Sequence, residues 1–152
     1  LNFERLTIYI IQLLEPLLNS IIQYAKETRY RGKPLSKDPL IRQKLAEMAI
    51  ELEVGRMIQL QAMWMVSKGL VPSTESGISK IFSTEFQLRL VNSAMQILGS
   101  YGQLQEGSNL APFNGKIERA YRPAYLGPIG GGTSEVIRNI IATRGLQLPK
   151  AY

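Results

Sequence analysis

Gly127-Pro128-Ile129-Gly130-Gly131-Gly132-Thr133-Ser134-Glu135-Val136-Ile137-Arg138 joins a glycine-rich turn to a Thr-Ser-Glu helix start. Thr133 is the candidate N-cap of a last helix that the sequence carries from about Ser134 to Arg144. Glycines let the main chain come close to a ligand, and free N–H groups at such a turn suit a phosphate or another electron-rich group. A short helix near Lys116–Tyr125 precedes the turn, so the glycines break what is otherwise one helical stretch.

Three longer helices are predicted upstream. About residues 3–29 put Ile10, Leu13, Leu14, Leu17, Leu18, Ile21 and Ile22 at helical spacing, with Asn2 as candidate N-cap and Pro16 predicting a kink. Arg31-Gly32-Lys33-Pro34-Leu35-Ser36-Lys37 reads as a loop. Asp38-Pro39 then opens a second helix, with Asp as N-cap and Pro at the first helical position. That helix runs to about Lys68, where Gly69 supplies a left-handed stop. Its apolar stripe is Leu45, Met48, Ala49, Leu52, Met57 and Leu60. A third helix covers about Glu75–Leu98, is stopped by Gly99, and buries Ile78, Ile81, Phe82, Phe86, Leu88, Val91, Met95 and Leu98. Residues 100–115 form a long polar loop, and no strand-like alternation competes. The expected fold is all-α: an antiparallel, up-down four-helix bundle with a broken fourth helix.

The 152 residues make one domain large enough for a single core, with 45% hydrophobic and 20% charged residues. No apolar run is long enough to span a bilayer, and Asn2, Glu4 and Arg5 interrupt any signal-peptide pattern. Zero Cys excludes disulfides and thiolate metal sites, and zero His removes the commonest metal ligand and general base. Proton chemistry therefore falls to carboxylate, Tyr or Lys, and a metal centre is not expected. The net charge of +6 is spread out rather than gathered into a nucleic-acid footprint. Lys26, Arg29, Arg31, Lys33 and Lys37 are the densest group, while Arg119, Arg122, Arg138 and Arg144 read as isolated cations near the glycines. Met57, Met63, Trp64 and Met65 read as bundle core or a subunit contact.

Four ordered phrases carry a family resemblance along nearly the whole chain. They are Ala25-Lys26-Glu27 with Gly32-Lys33-Pro34-Leu35; Gln43-Lys44-Leu45-Ala46-Glu47-Met48; Gln96-Ile97-Leu98-Gly99-Ser100-Tyr101-Gly102; and Arg122 through Thr133. In this order they resemble the C-terminal bundle of the acyl-CoA dehydrogenases. The resemblance implies that residues 1–152 are that one domain, a fragment whose helical and β-domains would precede it. It also implies an FAD-dependent α,β-dehydrogenation of an acyl-CoA thioester to a trans-2-enoyl-CoA. A carboxylate would take the α-proton, and an electron-transfer flavoprotein or similar acceptor would take the electrons. A homodimer or homotetramer, in the cytoplasm or the mitochondrial matrix, is the implied setting. The rival expectation is a non-catalytic scaffold or dimerisation subunit of a heteromeric complex.

In many members of that family the base stands immediately before the Gly-Thr of the C-terminal signature, a place held here by Gly131. In isovaleryl-CoA and long-chain members it stands near the start of the first bundle helix, where Glu4 falls in this chain. The resemblance thus implies Glu4 as base, with Asn2, Arg5 and Gly131 beside the acyl-CoA. It implies Gln96, Ile97, Leu98, Gly99, Ser100, Thr133 and Glu135 as FAD contacts. The usual Glu-Arg-x-x-Phe-Gly becomes Glu27-Thr28-Arg29-Tyr30-Arg31-Gly32, so the arginine expected at FAD pyrophosphate across the dimer is Thr28. Arg29 or Arg31 would supply that charge from a shifted direction, because a guanidinium reaches far and forks onto phosphate. Likewise Ala-Arg in the last helix becomes Ala142-Thr143-Arg144, which moves that arginine by about a hundred degrees around the axis.

Overall fold

The computed structural model describes residues 8–149, with the side chains of Ile8 and Tyr9 left out. Helix α1 (Ile8–Glu27) continues through Pro16. Strands β1 (Arg29–Tyr30) and β2 (Lys33–Pro34) follow, then α2 (Pro39–Ser67) and α3 (Ser73–Leu98). A shorter helix, α4 (Lys116–Ala124), and α5 (Ser134–Ile140) complete the chain, and α5 runs on into a π turn at Ile141–Gly145.

The helix limits follow from local chemistry. Asp38 Oδ1 accepts from the Leu40 and Ile41 amides at 2.9 and 3.2 Å, and Pro39 occupies the first turn. Gly69 (φ +73) follows the C-cap of α2, and Gly99 (φ +59) is itself the C-cap of α3. The expected loop at 31–37 instead contains a two-residue antiparallel ladder, Arg29 opposite Pro34 and Tyr30 opposite Lys33. Arg31 (φ +50) and Gly32 (φ +80) make the left-handed pair that such a tight hairpin needs. The expected polar loop at 100–115 begins and ends in 3-10 turns, Gly99–Gln103 and Pro112–Gly115.

Neighbouring helices run antiparallel. Lys44 donates to Gln96, Arg89 Nε donates to Glu51 at 2.8 Å, and Arg56 meets Glu15 at 3.0 Å. Down α3, Tyr125 OH reaches Asn92 at 3.4 Å, Gly127 lies against Thr84, and Arg138 pairs with Glu85 at 2.6 Å. Helices α4 and α5 therefore act as one broken fourth helix, as the bundle expectation has it. The hydrophobic core joins Leu14, Leu18 and Ile21 of α1 to Met48 and Leu52 of α2, Phe86, Leu90 and Ala94 of α3, and Ile117 of α4.

Burial departs from the predicted stripes in two places. Met57 and Leu60 of α2 are exposed, and with Ile50, Val54, Met63 and Trp64 they form an outward apolar face. A groove of about 630 Å³ runs along it. Helix α3, in contrast, packs against α1, α2, α4 and α5 and is buried on several sides. Its first half buries Ser76, Gly77, Ser79, Lys80, Ser83 and Thr84 while Ile78 is exposed. Helix α5 packs closely at Gly77, where an added Cβ would stand 3.0 Å from Ile137 Cγ2. Among the described residues no helix is long and apolar enough to cross a membrane.

Candidate functional site

The sequence-predicted residues collect at two places on α3. At its C-terminal end, Gln96 is exposed and its Oε1 accepts from Lys44 Nζ. Ile97 and Leu98 bury their side chains in the core and leave only main chain for a ligand. Gly99 has open space where a Cβ would stand, and Ser100 is exposed in the 3-10 turn. The hairpin lies at this same end of the bundle, because α1 ends where α2 begins. Arg29 Nη1 is turned back to the Gly32 carbonyl at 3.0 Å. Arg31 is exposed, its guanidinium 5.3 Å from the Tyr30 ring centre, and it lines a groove with Lys33, Lys37 and Asp38.

The second group surrounds the glycine turn. Gly131 (φ +69) has nothing within 4 Å of an added Cβ, while Gly132 (φ +104) lies close to Ile137 Cδ1. Thr133 adopts an extended backbone, and its Oγ1 accepts from the Val136 amide at 3.3 Å. Glu135 is exposed in the first turn of α5. Its own backbone N–H, the Thr133 hydroxyl, and the charges of Arg138 and Lys80 hold its carboxyl below the usual carboxylate range.

Lys80 was not foreseen as part of this group. It is 2% exposed, and Nζ donates to Pro128 O at 3.0 Å and to Gly132 O at 2.7 Å. A lone lysine in a serine-rich helical stretch reads as a solvated charge, and the only sequence signal was its place one turn from Gly77 and Thr84. Three of the four arginines read as isolated are paired: Arg119 with Glu106, Arg122 with Glu118 and Arg138 with Glu85. They are thereby spent on the fold rather than presented as single cations to a ligand.

Sixteen residues separate Lys80 from Gln96 on α3, about 24 Å at the helical rise. The two groups thus face different regions of one protomer. Glu4, Asn2 and Arg5 lie outside the described residues. The first described part of α1 enters at the glycine-turn end, because Ile11 packs where Gly55 and Phe82 meet.

Both glycine positions leave the main chain approachable, and exposed Gln96, Ser100 and Arg31 add donors and a cation. The donors and cation of the Gln96–Ser100 end with Arg31 suit a pyrophosphate, and the open main chain of the glycine turn suits another polar part of such a cofactor.

The chain is 34% identical over 137 residues to the probable acyl-CoA dehydrogenase YngJ of Bacillus subtilis (strain 168), covering 90% of this chain and 34% of that protein. It therefore spans about a third of that relative's length. Among solved structures it is similar to the Tcur3481-Tcur3483 steroid ACAD, with TM-score 0.88 and 27% identity over 99% of this chain and 38% of the other. The glutaryl-coenzyme A dehydrogenase glutaryl-CoA complex gives TM-score 0.84 and 27% identity over 99% and 37%. Residues 1–146 match the family described as acyl-CoA dehydrogenase, C-terminal domain, and the chain belongs to that family.

Proposed function

We propose that this chain is the C-terminal domain of an FAD-dependent acyl-CoA dehydrogenase that forms a trans-2-enoyl-CoA, with Glu4 as the base. The observation that carries the reading is Gly131: it has room for a side chain, but it has none to take a proton. The entry of α1 at the same end of the bundle supports a base brought from the start of the chain. When bound, FAD supplies the acceptor for the β-hydride. The chain's own residues would hold the thioester, exclude water from it and remove the α-proton. A carboxylate suits this because desolvation by bound substrate raises its proton affinity.

The separation of the two groups on α3 supports a dimer. Thr133 and Glu135 would contact one flavin, while Gln96–Ser100 with Arg31 would meet the pyrophosphate side of the partner's. Arg31 is the better candidate of the two arginines, since Arg29 is already bonded within the hairpin. Acyl-CoA as substrate, an electron-transfer flavoprotein or similar acceptor as partner, and a cytoplasmic or mitochondrial-matrix setting belong to the same proposal.

The test uses the whole natural protein that carries this chain. Glu4→Gln should lower turnover by about two to four orders of magnitude, the usual contribution of a general base, while flavin content stays unchanged. Wild-type turnover in that variant would remove Glu4 from the role.

A further inference from the structure

We propose that Lys80 is a positioning residue for the glycine turn, an inference that rests on reading that turn as a flavin contact. Its ammonium is buried between α3 and the turn and donates to two carbonyls four residues apart, Pro128 O and Gly132 O. Pro128 O also accepts from the Ser134 amide at 3.0 Å, so one oxygen ties the start of the turn both to α3 and to the first residue of α5. The segment between those carbonyls contains Gly130, Gly131 and Gly132, which are the least restrained residues a chain can place in sequence. Without an anchor such a segment would sample many conformations, and ordering it would weaken every contact it makes.

The anchor also sets a direction. The peptide between Gly132 and Thr133 is trans, so its C=O and N–H point opposite ways. With the Gly132 carbonyl drawn inward to Lys80, the Thr133 N–H is turned away from α3. It has no acceptor among the described residues. Lys80 thereby fixes both the path of the three glycines and the outward aim of the donor that follows them. A hydrophobic residue at 80 would fill the same space but leave both carbonyls without the ammonium that orders them.

Lys80→Met and Lys80→Arg in the whole natural protein test this with two readings. In Lys80→Met, amide hydrogen exchange should accelerate at least tenfold at Ile129, Gly130 and Ser134, whose amides are bonded within the turn, while the core segments of α1 and α2 keep their protection. FAD should dissociate at least tenfold more readily. Lys80→Arg, which keeps a charge and N–H donors, should recover part of both. A general loss of packing would instead raise exchange across the bundle. If Lys80→Met unfolds altogether, the folded Lys80→Arg protein decides: turn exchange raised less than tenfold over wild type supports the anchor, and turn exchange as fast as that of unbonded amides overturns it. Wild-type exchange in the turn of Lys80→Met overturns it as well. A wild-type protein that takes up no FAD would refute the flavin reading alone, since turn exchange is measured without cofactor.

Discussion

Glu135 shows how one exposed carboxylate reports on the geometry around it. Its lowered proton affinity comes first from its own amide, then from the Thr133 hydroxyl. A depressed carboxyl contributes stability that is complete above its unfolded value and is lost as pH falls through its folded value. The α5 start should therefore loosen only on the acid side of the ordinary carboxylate range. Thr133→Val should move the Glu135 titration up toward its ordinary value, read by carboxyl NMR; an unmoved midpoint would contradict the bond. Losing the Thr133 cap should also cost about 1 kcal/mol in urea unfolding. Thr133 was legible in the sequence because a cap is a local event, decided by a hydroxyl three residues before the amide it accepts from. Lys80 was not, because its partners lie about fifty residues away and are carbonyls, which every residue type carries.

At the scale of elements, glycine and capping positions decide where helices stop and how closely they approach. Asp38→Ala should cost about 1 kcal/mol, because two amides at the start of α2 lose their acceptor. Gly115→Ala should cost more, at least about 2 kcal/mol by thermal or urea unfolding. Gly115 has φ +71, and a Cβ there would stand 2.5 Å from Glu106 N and 2.8 Å from Gln105 C, both main chain. Gly55→Ala is the contrast: its Cβ would meet Ile11 Cδ1, the movable end of a side chain, and the loss should be smaller. Equal losses at the two sites would show that strain at Gly115 is relieved by loop movement. The Asp-Pro start, the Gly69 and Gly99 stops and the helix order were readable from residue type alone. The hairpin was not, since two residues per strand are too few for any alternation to register. The apolar stripe of α2 was read correctly at Leu45, Met48, Ala49 and Leu52 but not at Met57 and Leu60. Apolar residues occur around most of that helix, so spacing alone did not say which side faces the bundle.

At the scale of the molecule, the two groups on α3 tie the proposed cofactor to assembly. If Gln96–Ser100 and Thr133 serve different flavins, bound FAD should fall in parallel with dimer dissociation on dilution, followed by sedimentation and flavin absorbance together. Full flavin content in an isolated monomer would reject that division. Bundle architecture was legible because four helical segments with no competing strand pattern have few ways to pack. The distribution of burial was not, because α3 lies against four other helices and its polar positions are enclosed along with its apolar ones. That enclosure has a consequence for how the chain is made. Gly77, Lys80 and Thr84 of the row Ser76–Thr84 obtain their cover from residues 127–141, which leave the ribosome after it. Until they emerge, the middle helix carries serines and a lysine on a side with nothing yet to meet them. Packing of this row must therefore wait for the segment from Gly127 onward. Loss of that segment would uncover the row and take the Pro128 and Gly132 carbonyls from Lys80, not merely remove a loose tail.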